Sequence, residues 1–559
     1  MNHVRLGRGG TADVHDGNTL ELVDGPFDPT AHTADVRHVD LGRGRHNIPN
    51  LGVFLWRLGS YSLKDSTARA VAAHPGRYTF DPLGFDSPLF NPPRTEQAIE
   101  HLAEEVNVPG KLRRRALHAG LDADPPVEPP FGVSLDADDI DPSELAICDL
   151  TDPARLAPPG KKVAVDPELG RIALAQNAPA PAEVRVTWSY GFPGPLGGGS
   201  YDRRESLAAV VPTPRAVDWQ IGVVENPTSP VLTDTFTDPN TGALPTWAGL
   251  APTPPLALVA VMDSRTYGES LSVSIPPGCT LVIAAAKWDE EEDPLTGVER
   301  RVVGHAVADG CRPHVGSVTV VGQAPTATLA PGSLVLDGLL IEGDVTVSQG
   351  TLGHLRVAHC TIAAAAGAPN PARLRVGPGN VGLTVDVERT ICGPIDVDQT
   401  THLLSVRDSI VDGRGGGALA GPAVAVERST VLGETDVRSL QASDTIFVGD
   451  VVVERRQSGC VRYSYLPLAS RAPRRYRCHP AGDAEAVRVV PVFTSVTYGD
   501  PGYCQLAPDC PEEIARGADD EGEMGAFNLV QAAHRLTNLR AHLDEYLRFG
   551  LEAGTFFVT

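Results

Sequence analysis

The stretch "LRVAHCTI" at 355–362 returns in altered spelling as "LTVDVERTI" at 383–391, "LLSVRDSIV" at 403–411 and "AVAVERSTV" at 423–431. Two weaker copies follow, "QASDTIF" (441–447) and "VRYSYL" (461–466). The shared phrase is an apolar residue, two mostly polar ones, a Ser or Thr, then another apolar residue. With the inward valine as marker, Val357, Val387, Val406, Val426, Ala442 and Val461 lie 30, 19, 20, 16 and 19 residues apart. One solenoid turn takes roughly 20–30 residues. A constant strand phrase at variable spacing is what a parallel β-helix permits, because insertions leave at the loops while each strand stays in register with its neighbours. The repeat therefore predicts a mainly β protein with a right-handed parallel β-helix (β-solenoid) body, each copy being one rung.

Stacking the copies fixes which residues meet. One inward column is Val357, Val387, Val406, Val426, Ala442 and Val461, and a second is Ile362, Ile391, Ile410, Val431, Ile446 and Tyr465, with roughly 4.8 Å between paired strands. The polar positions between them read Arg389, Asp408, Arg428 and Asp444 along one column and Glu388, Arg407 and Glu427 along the next. Signs alternate from rung to rung, so opposite charges are expected side by side.

Outward from the repeat, 257–467 reads as the β-helix. Residues 1–48 are polar, Gly-rich and without periodicity, which suits an extended arm that orders against a partner. Residues 49–205 read as a mixed, β-rich module. Within it, "LGVFLWRLGSYSL" (51–63) is either a core strand or an anchor for a neighbouring subunit. "RTEQAIEHLAEEVN" (94–107) has helical spacing, with Thr95 as N-cap and Ala98, Ile99, Leu102, Ala103 and Val106 on one face, and a short basic helix follows Gly110. "KKVAVDPELGRIAL" (161–174) and "AEVRVTWSYGF" (182–192) alternate as half-buried strands, with a turn at "DPELG". "GPLGGGSYDRRES" (194–206) is the clearest linker, and 206–256 reads as a connecting segment.

Beyond Pro467, residues 468–559 read as a small C-terminal cap. It holds a β-rich piece (486–500), an acidic loop "DDEGEMG" (519–525) and a helix near 537–550, with Leu539, Leu543, Tyr546 and Leu547 on one face before Gly550. Solenoids need capped ends, so this tail is expected to close the bottom of the helix or to carry an assembly contact.

Lys and Arg number 47 against 70 Asp and Glu, a net charge of -23, which argues against an electrostatic grip on nucleic acid or an anionic membrane. High Gly (57) and Pro (49) with only 3 Met and 5% aromatic residues suit many short strands joined by turns. "MNHVRLGRGGTADVHDGN" holds no apolar core of a signal peptide, so none is expected, and no apolar run reaches the roughly 18 residues of a membrane span. The nine cysteines are odd in number and scattered without a C-x-x-C pair, which suits free buried thiols in a reducing cytoplasm. Cys478, Cys504 and Cys510 cluster without a zinc spacing.

Chemistry is sparse. A glycosidase needs two carboxylates roughly 5–9 Å apart across a groove. The rung candidates are Asp386, Glu388, Asp408, Glu427 and Asp444, several of them expected beside an Arg that holds them ionised and unsuited to general-acid work. "SLDADDIDPSE" (134–144) lacks the glycine and terminal glutamate of an EF-hand, and "WDEEEDP" (288–294) reads as an exposed acidic loop. "LGGGS" and "GRGGG" lack the Lys of a phosphate loop, and no H-E-x-x-H or G-x-S-x-G is present. No catalytic residue, metal site or cofactor is expected.

Several phrases are nonetheless specific: "NIPNLGVFLWRL", "FDPLGFDSPLFNPP" (80–93), "HLAEEVNVPG", "VAVDPELGRIAL", "SYGFPGPLGGGSYDRR", "LVLDGLLIEG", "SDTIF" and "LDEYLRFGLEAGTFFVT". Together they resemble a family of large proteins encoded beside phage-tail-like baseplate genes, including those of extracellular contractile injection systems. The resemblance covers most of the chain. It implies a non-enzymatic structural or binding component of a contractile assembly, baseplate-associated and fibre- or spike-like, folded and assembled in the bacterial cytoplasm. Its implied partners are other baseplate or tail proteins and further copies of the chain, a trimer being usual for a spike. A cell-surface glycan or receptor is the implied target, with no nucleic acid and no membrane insertion. Attachment then falls to the arm and to Asn47, Ile48, Pro49, Phe54, Trp56 and Leu58. The alternative is a carbohydrate-active β-helix enzyme such as a polysaccharide depolymerase.

Overall fold

The computed structural model describes residues 3–5, 11–13, 15–39, 44–96, 103–136, 138–211, 217–225, 232–292 and 299–558. In it the repeated phrase is a strand, a one-residue corner and a second strand. Thr384–Glu388 ends at Arg389, and Ile391–Cys392 leaves in a new direction. The corner residues His359, Arg389, Asp408, Arg428, Asp444 and Tyr463 all have left-handed φ, between 43° and 55°. For a residue with a Cβ this conformation costs about 1–2 kcal/mol, so the surroundings must hold it.

Two sets of hydrogen bonds do so. The corner amide donates to a carbonyl of the next rung: Arg389 to Arg407 at 3.0 Å, Asp408 to Glu427 at 3.0 Å, Arg428 to Ser443 at 3.0 Å and Asp444 to Arg462 at 3.2 Å. The residue after the corner points into the coil and is buried: Thr390, Ser409, Ser429, Thr445 and Ser464. Each hydroxyl donates to the carbonyl two residues before it, at 2.6 to 2.9 Å. Ser409, Ser429 and Ser464 also accept the amide N–H of Thr390, Ser409 and Thr445 from the preceding rung, at 3.0, 3.2 and 3.1 Å. A corner inside an apolar coil leaves backbone groups that water cannot reach, and the hydroxyl satisfies them. This is why the phrase carries Ser or Thr.

Each turn adds a third strand, such as Ile395–Val397, before returning to the first face. The pairings are parallel and join 24 strands into one sheet, because Ile410–Glu427 and Thr430–Ser443 run round the corners. Strand outweighs helix, 37% against 11%, and the arrangement is consistent with a β-solenoid. Val357, Val387, Val406, Val426, Ala442 and Val461 are paired at every step and buried. The second expected column is a mixture. Ile362 stacks on Cys392, Val411, Val431 and Phe447, whereas Ile391, Ile410, Ile446 and Tyr465 share the opposite side with Thr361 and Thr430. Two adjacent residues after the hydroxyl are apolar in most rungs because both sides of this face are covered, and periodicity alone could not choose between them.

The coil is longer than 257–467. Trp219–Val223 pairs in parallel with Leu256–Val261, so the expected connecting segment holds the first rung. Phe236, Leu244 and Trp247 of that segment, the last two from the helix Ala243–Ala248, join the same core. At the other end Arg474–Tyr476 pairs with Gly459–Arg462. Arg475 takes the last place in the inward valine column, and its guanidinium donates to the carbonyls of Ser470 (2.9 Å) and Pro467 (3.4 Å). Its aliphatic stem can cover apolar core while the head stays polar. "WDEEEDP" begins as the strand Lys287–Glu292, paired with Glu299–Val307, rather than as a loop; residues 293 and 294 lie outside the described residues.

The rest of the chain lies against the flank of the coil. In the first module the hairpin Val163–Asp166 with Arg171–Leu174 and the strand Val184–Phe192 form as expected, as does the helix Arg114–Leu121. The helix expected over 94–107 does not: residues 94–96 are irregular and Glu105–Asn107 is a single 3-10 turn, with Ala98, Ile99 and Leu102 outside the described residues. Asn91 supplies the fold there, its Nδ2 donating to the carbonyls of Glu105, Val106 and Val108. Residues 486–500 form no strand, only isolated bridges at Phe493 and Ser495.

The "linker" 194–206 is largely a buried strap. Gly197 (φ 79°) donates to the carbonyl of Arg389 at 2.8 Å, and Gly198 donates to Thr361 Oγ1 at 2.9 Å. The tail repeats this grip further along the coil. Gly525 (φ 94°) donates to the carbonyl of Asp444 at 2.8 Å, and Ala526 to Thr430 Oγ1 at 3.1 Å. A Cβ on Gly197 would lie 2.7 Å from Thr361 Oγ1 and 2.8 Å from Ile391; one on Gly525 would lie 2.7 Å from Thr430 Oγ1 and 3.0 Å from Ile446. The glycines serve close approach, not flexibility. The tail therefore covers Ile410, Ile446 and Tyr465 from the side.

Replacing Ser409 by Ala removes both bonds of its hydroxyl. A loss of about 1–3 kcal/mol is expected in urea unfolding, with Ser409→Thr close to the parent because Thr fills the same place in two other rungs. Gly525→Ala should lower stability by at least about 2 kcal/mol through the left-handed φ and the contact with Thr430.

Candidate functional site

Three places carry the chemistry: the rung charges, the meeting point of the chain ends, and the two cavities beneath it. The rung charges divide. Glu388, Arg407 and Glu427 occupy successive rungs in register, with Arg407 3.8 Å from Glu388. Arg389, Asp408, Arg428 and Asp444 are the corner residues themselves, so the backbone aims their side chains outward. Arg428 binds Asp408 at 2.7 Å and its own neighbour Glu427 at 2.6 Å. Arg389 has no carboxylate within ion-pair distance among the described residues. Asp444 has no arginine within ion-pair distance among the described residues; it accepts the amide of Asp519 at 2.7 Å, and burial pushes its carboxyl above the ordinary range. The alternation is thus a true pair at Asp408 and Arg428 and gives way to the tail at Asp444.

The remaining carboxylates are also engaged. Asp386 takes a hydrogen bond from His354 at 2.8 Å, which holds its carboxyl below the ordinary range, and Glu388 pairs with Arg356 at 3.0 Å. No group of three or more His, Cys, Asp or Glu residues arranged to hold a metal is present among the described residues. The three clustered cysteines are separated: Cys478 lies in the coil core, while Cys504 and Cys510 sit in two different contacts of the tail.

The attachment candidates collect with the far end of the chain. Asn50–Trp56 pairs in parallel with Glu552–Val558, and these two strands form a sheet of their own. Phe54 stacks on Phe556 at 5.3 Å, and Trp56 lies 6.0 Å from Phe27. No residue of Asn50–Trp56 is fully buried, nor is any of the helix Ala532–Tyr546, so the first part of "LGVFLWRLGSYSL" is not a core strand. Leu58, by contrast, is buried, and Leu63, in the next strand Gly59–Thr67, belongs to the module's core. The expected arm takes part: the helix Gly17–Leu22 is capped by Asp16 and bound through Glu21 to Arg113, and Val39 packs on Gly554. Asn47 and Pro49 place the strand, the Pro49 carbonyl accepting the amide of Glu552 at 2.9 Å. Ile48 is 92% exposed, Tyr546 74%, and Phe549 wholly so.

Beneath the helix lie two cavities. One, of about 1060 Å³, is lined by His38, Leu543, Leu547 and Phe556. The other, of about 500 Å³, is lined by Trp56, Leu58, Tyr61, Phe527, Phe557, Arg57 and Glu523. The Arg57 guanidinium donates to the Leu506 carbonyl and lies 5.7 Å from the centre of the Phe557 ring. Burial pushes the Glu523 carboxyl up to about 7, against the pull of Arg57. "DDEGEMG" is therefore a misleading phrase: Glu523, Met524 and Gly525 are buried.

A scan against protein-family models found no match, a search of curated proteins found no similar chain, and a search of solved structures found no similar fold.

The Glu523 carboxyl ionises near 4.5 in the unfolded chain and near 7 in the folded one. Its contribution to stability is full below the unfolded value and is lost as pH rises through the folded one, by roughly 3 kcal/mol for a shift of that size. Glu523→Gln should abolish that part of the slope, seen as a smaller change in the urea midpoint between pH 4.5 and 7.5.

Proposed function

We propose that this chain is a non-enzymatic structural and binding component of a phage-tail-like contractile injection system, baseplate-associated and fibre- or spike-like, assembled in the bacterial cytoplasm. The observation that carries the reading is the terminal module. Its two-stranded sheet pairs with no further strand among the described residues, its aromatic residues are only half covered, and Ile48 and Phe549 stand in solvent. A two-stranded sheet is marginal by itself, and exposed apolar surface of this kind marks an interaction site. Other baseplate or tail proteins are the partners proposed for it, with further copies of the chain arranged as a trimer about the tail axis. The coil is proposed to be right-handed, as parallel crossovers nearly always are, and its faces to meet a cell-surface glycan or receptor. A polysaccharide depolymerase is the weaker reading, because Asp386, Glu388, Asp408 and Glu427 already have cationic or imidazole partners.

Particles purified from cells carrying a tagged copy should contain the chain in stoichiometric amount at the baseplate end, by mass spectrometry and electron microscopy. The double variant Ile48→Asp with Phe549→Asp should melt as the parent does and be depleted from particles at least about tenfold, since charge on an apolar contact costs more than 1.4 kcal/mol. Absence of the parent chain from particles would overturn the proposal and make polysaccharide cleavage by the free protein the next measurement.

A further inference from the structure

The last rung leaves the coil with an open edge. Arg474–Tyr476 is paired with Gly459–Arg462 on one side and with no strand on the other among the described residues. Around this edge the charge of the protein inverts. Residues 438–486 contain eight arginines against five carboxylates, Asp444, Asp450, Glu454, Asp483 and Glu485, in a chain whose net charge is -23. Glu485 is engaged by His479 at 2.6 Å, and Asp519 of the tail lies beside Tyr463. Among the described residues, none of the eight lies within ion-pair distance of a carboxylate, whereas three of the seven arginines in residues 354–428, Arg356, Arg407 and Arg428, do. Arg477, at the last left-handed corner, is held 5.7 Å from the centres of both the Tyr463 and Tyr476 rings, and Arg471 and Arg474 are exposed.

Charge on an edge strand keeps identical edges apart, and either sign would serve that end. A net positive edge does more, since it leaves main-chain donors and acceptors available to a strand of the opposite sign while repelling its own kind. We propose that the terminal rung is a docking edge for an acidic, extended segment of a partner protein, which adds as a strand to Arg474–Tyr476. The amide ladder favours a protein partner over an anionic polysaccharide, which has no such ladder to offer. The inference does not depend on membership of a contractile particle.

The test uses the full chain and a fluorescein-labelled peptide of alternating Glu and Val, titrated by fluorescence anisotropy at low salt. Saturable binding is expected, weakened about tenfold or more by Arg471→Glu, Arg474→Glu and Arg477→Glu together, since like charges then face the peptide. Arg475 is left intact because it closes the core. The single variant Arg474→Glu carries the comparison if the triple one melts differently from the parent. The same peptide with every backbone amide N-methylated cannot donate ladder hydrogen bonds and should not bind. No saturable binding of the first peptide, or equal binding by the N-methylated peptide or by dextran sulfate, would overturn the strand-docking proposal.

Discussion

Everything in this protein hangs on one buried hydrogen bond repeated along an axis, the Ser or Thr hydroxyl that follows a left-handed corner. A parallel coil must turn its chain sharply several times per rung without letting water in, and each turn strands backbone groups in an apolar interior. Thr390, Ser409, Ser429, Thr445 and Ser464 resolve this within the chain, each bonding back to its own strand, four of them also taking an amide from the rung before. The strain of the corner and the burial of a polar side chain are thereby coupled, and neither would persist without the other.

The same corner organises the outside. Its carbonyl, at Arg389 and again at Asp444, receives a glycine amide from a strap, while a Thr one rung earlier receives the next amide. One strap precedes the coil in sequence and the other follows it, so the two ends of the chain are brought to one flank. From there Asn50–Trp56 and Glu552–Val558 meet as a parallel pair. The contrast in packing is sharp. The coil core is closed throughout, and the terminal pair with its helix stands over two large cavities with its apolar residues half covered. A region so lightly packed has little stability of its own and gains most from a partner.

Charge follows the same division between a settled body and unsettled ends. Along the middle rungs carboxylates and arginines neutralise one another locally, as at Asp408 and Arg428. At the last rung the arginines have no ion-pair partner among the described residues. Arg475 turns inward to close the core, and its neighbours Arg474 and Arg477 are left outward.

The parallel stacking, the valine column and the pairing of Asp408 with Arg428 were legible in the sequence, because they follow the repeat: a strand phrase that recurs while its spacing varies has few other physical explanations. The antiparallel hairpin at "DPELG" was legible for the same local reason, turn chemistry between alternating strands. What the tertiary structure alone decided was everything that depends on a second surface. Ile391, Ile410 and Ile446 look like core residues and are, but of the outer face, since the cover that buries them comes from segments remote in sequence. "GPLGGGSYDRRES" has a linker's composition, yet its glycines are dictated by Thr361 and Ile391 across the contact. Trp219–Val223 shows no copy of the phrase and becomes a rung only by lying against Leu256–Val261. Local periodicity reports what a residue's own strand requires; which side meets another segment is settled by a neighbour that the local sequence does not contain.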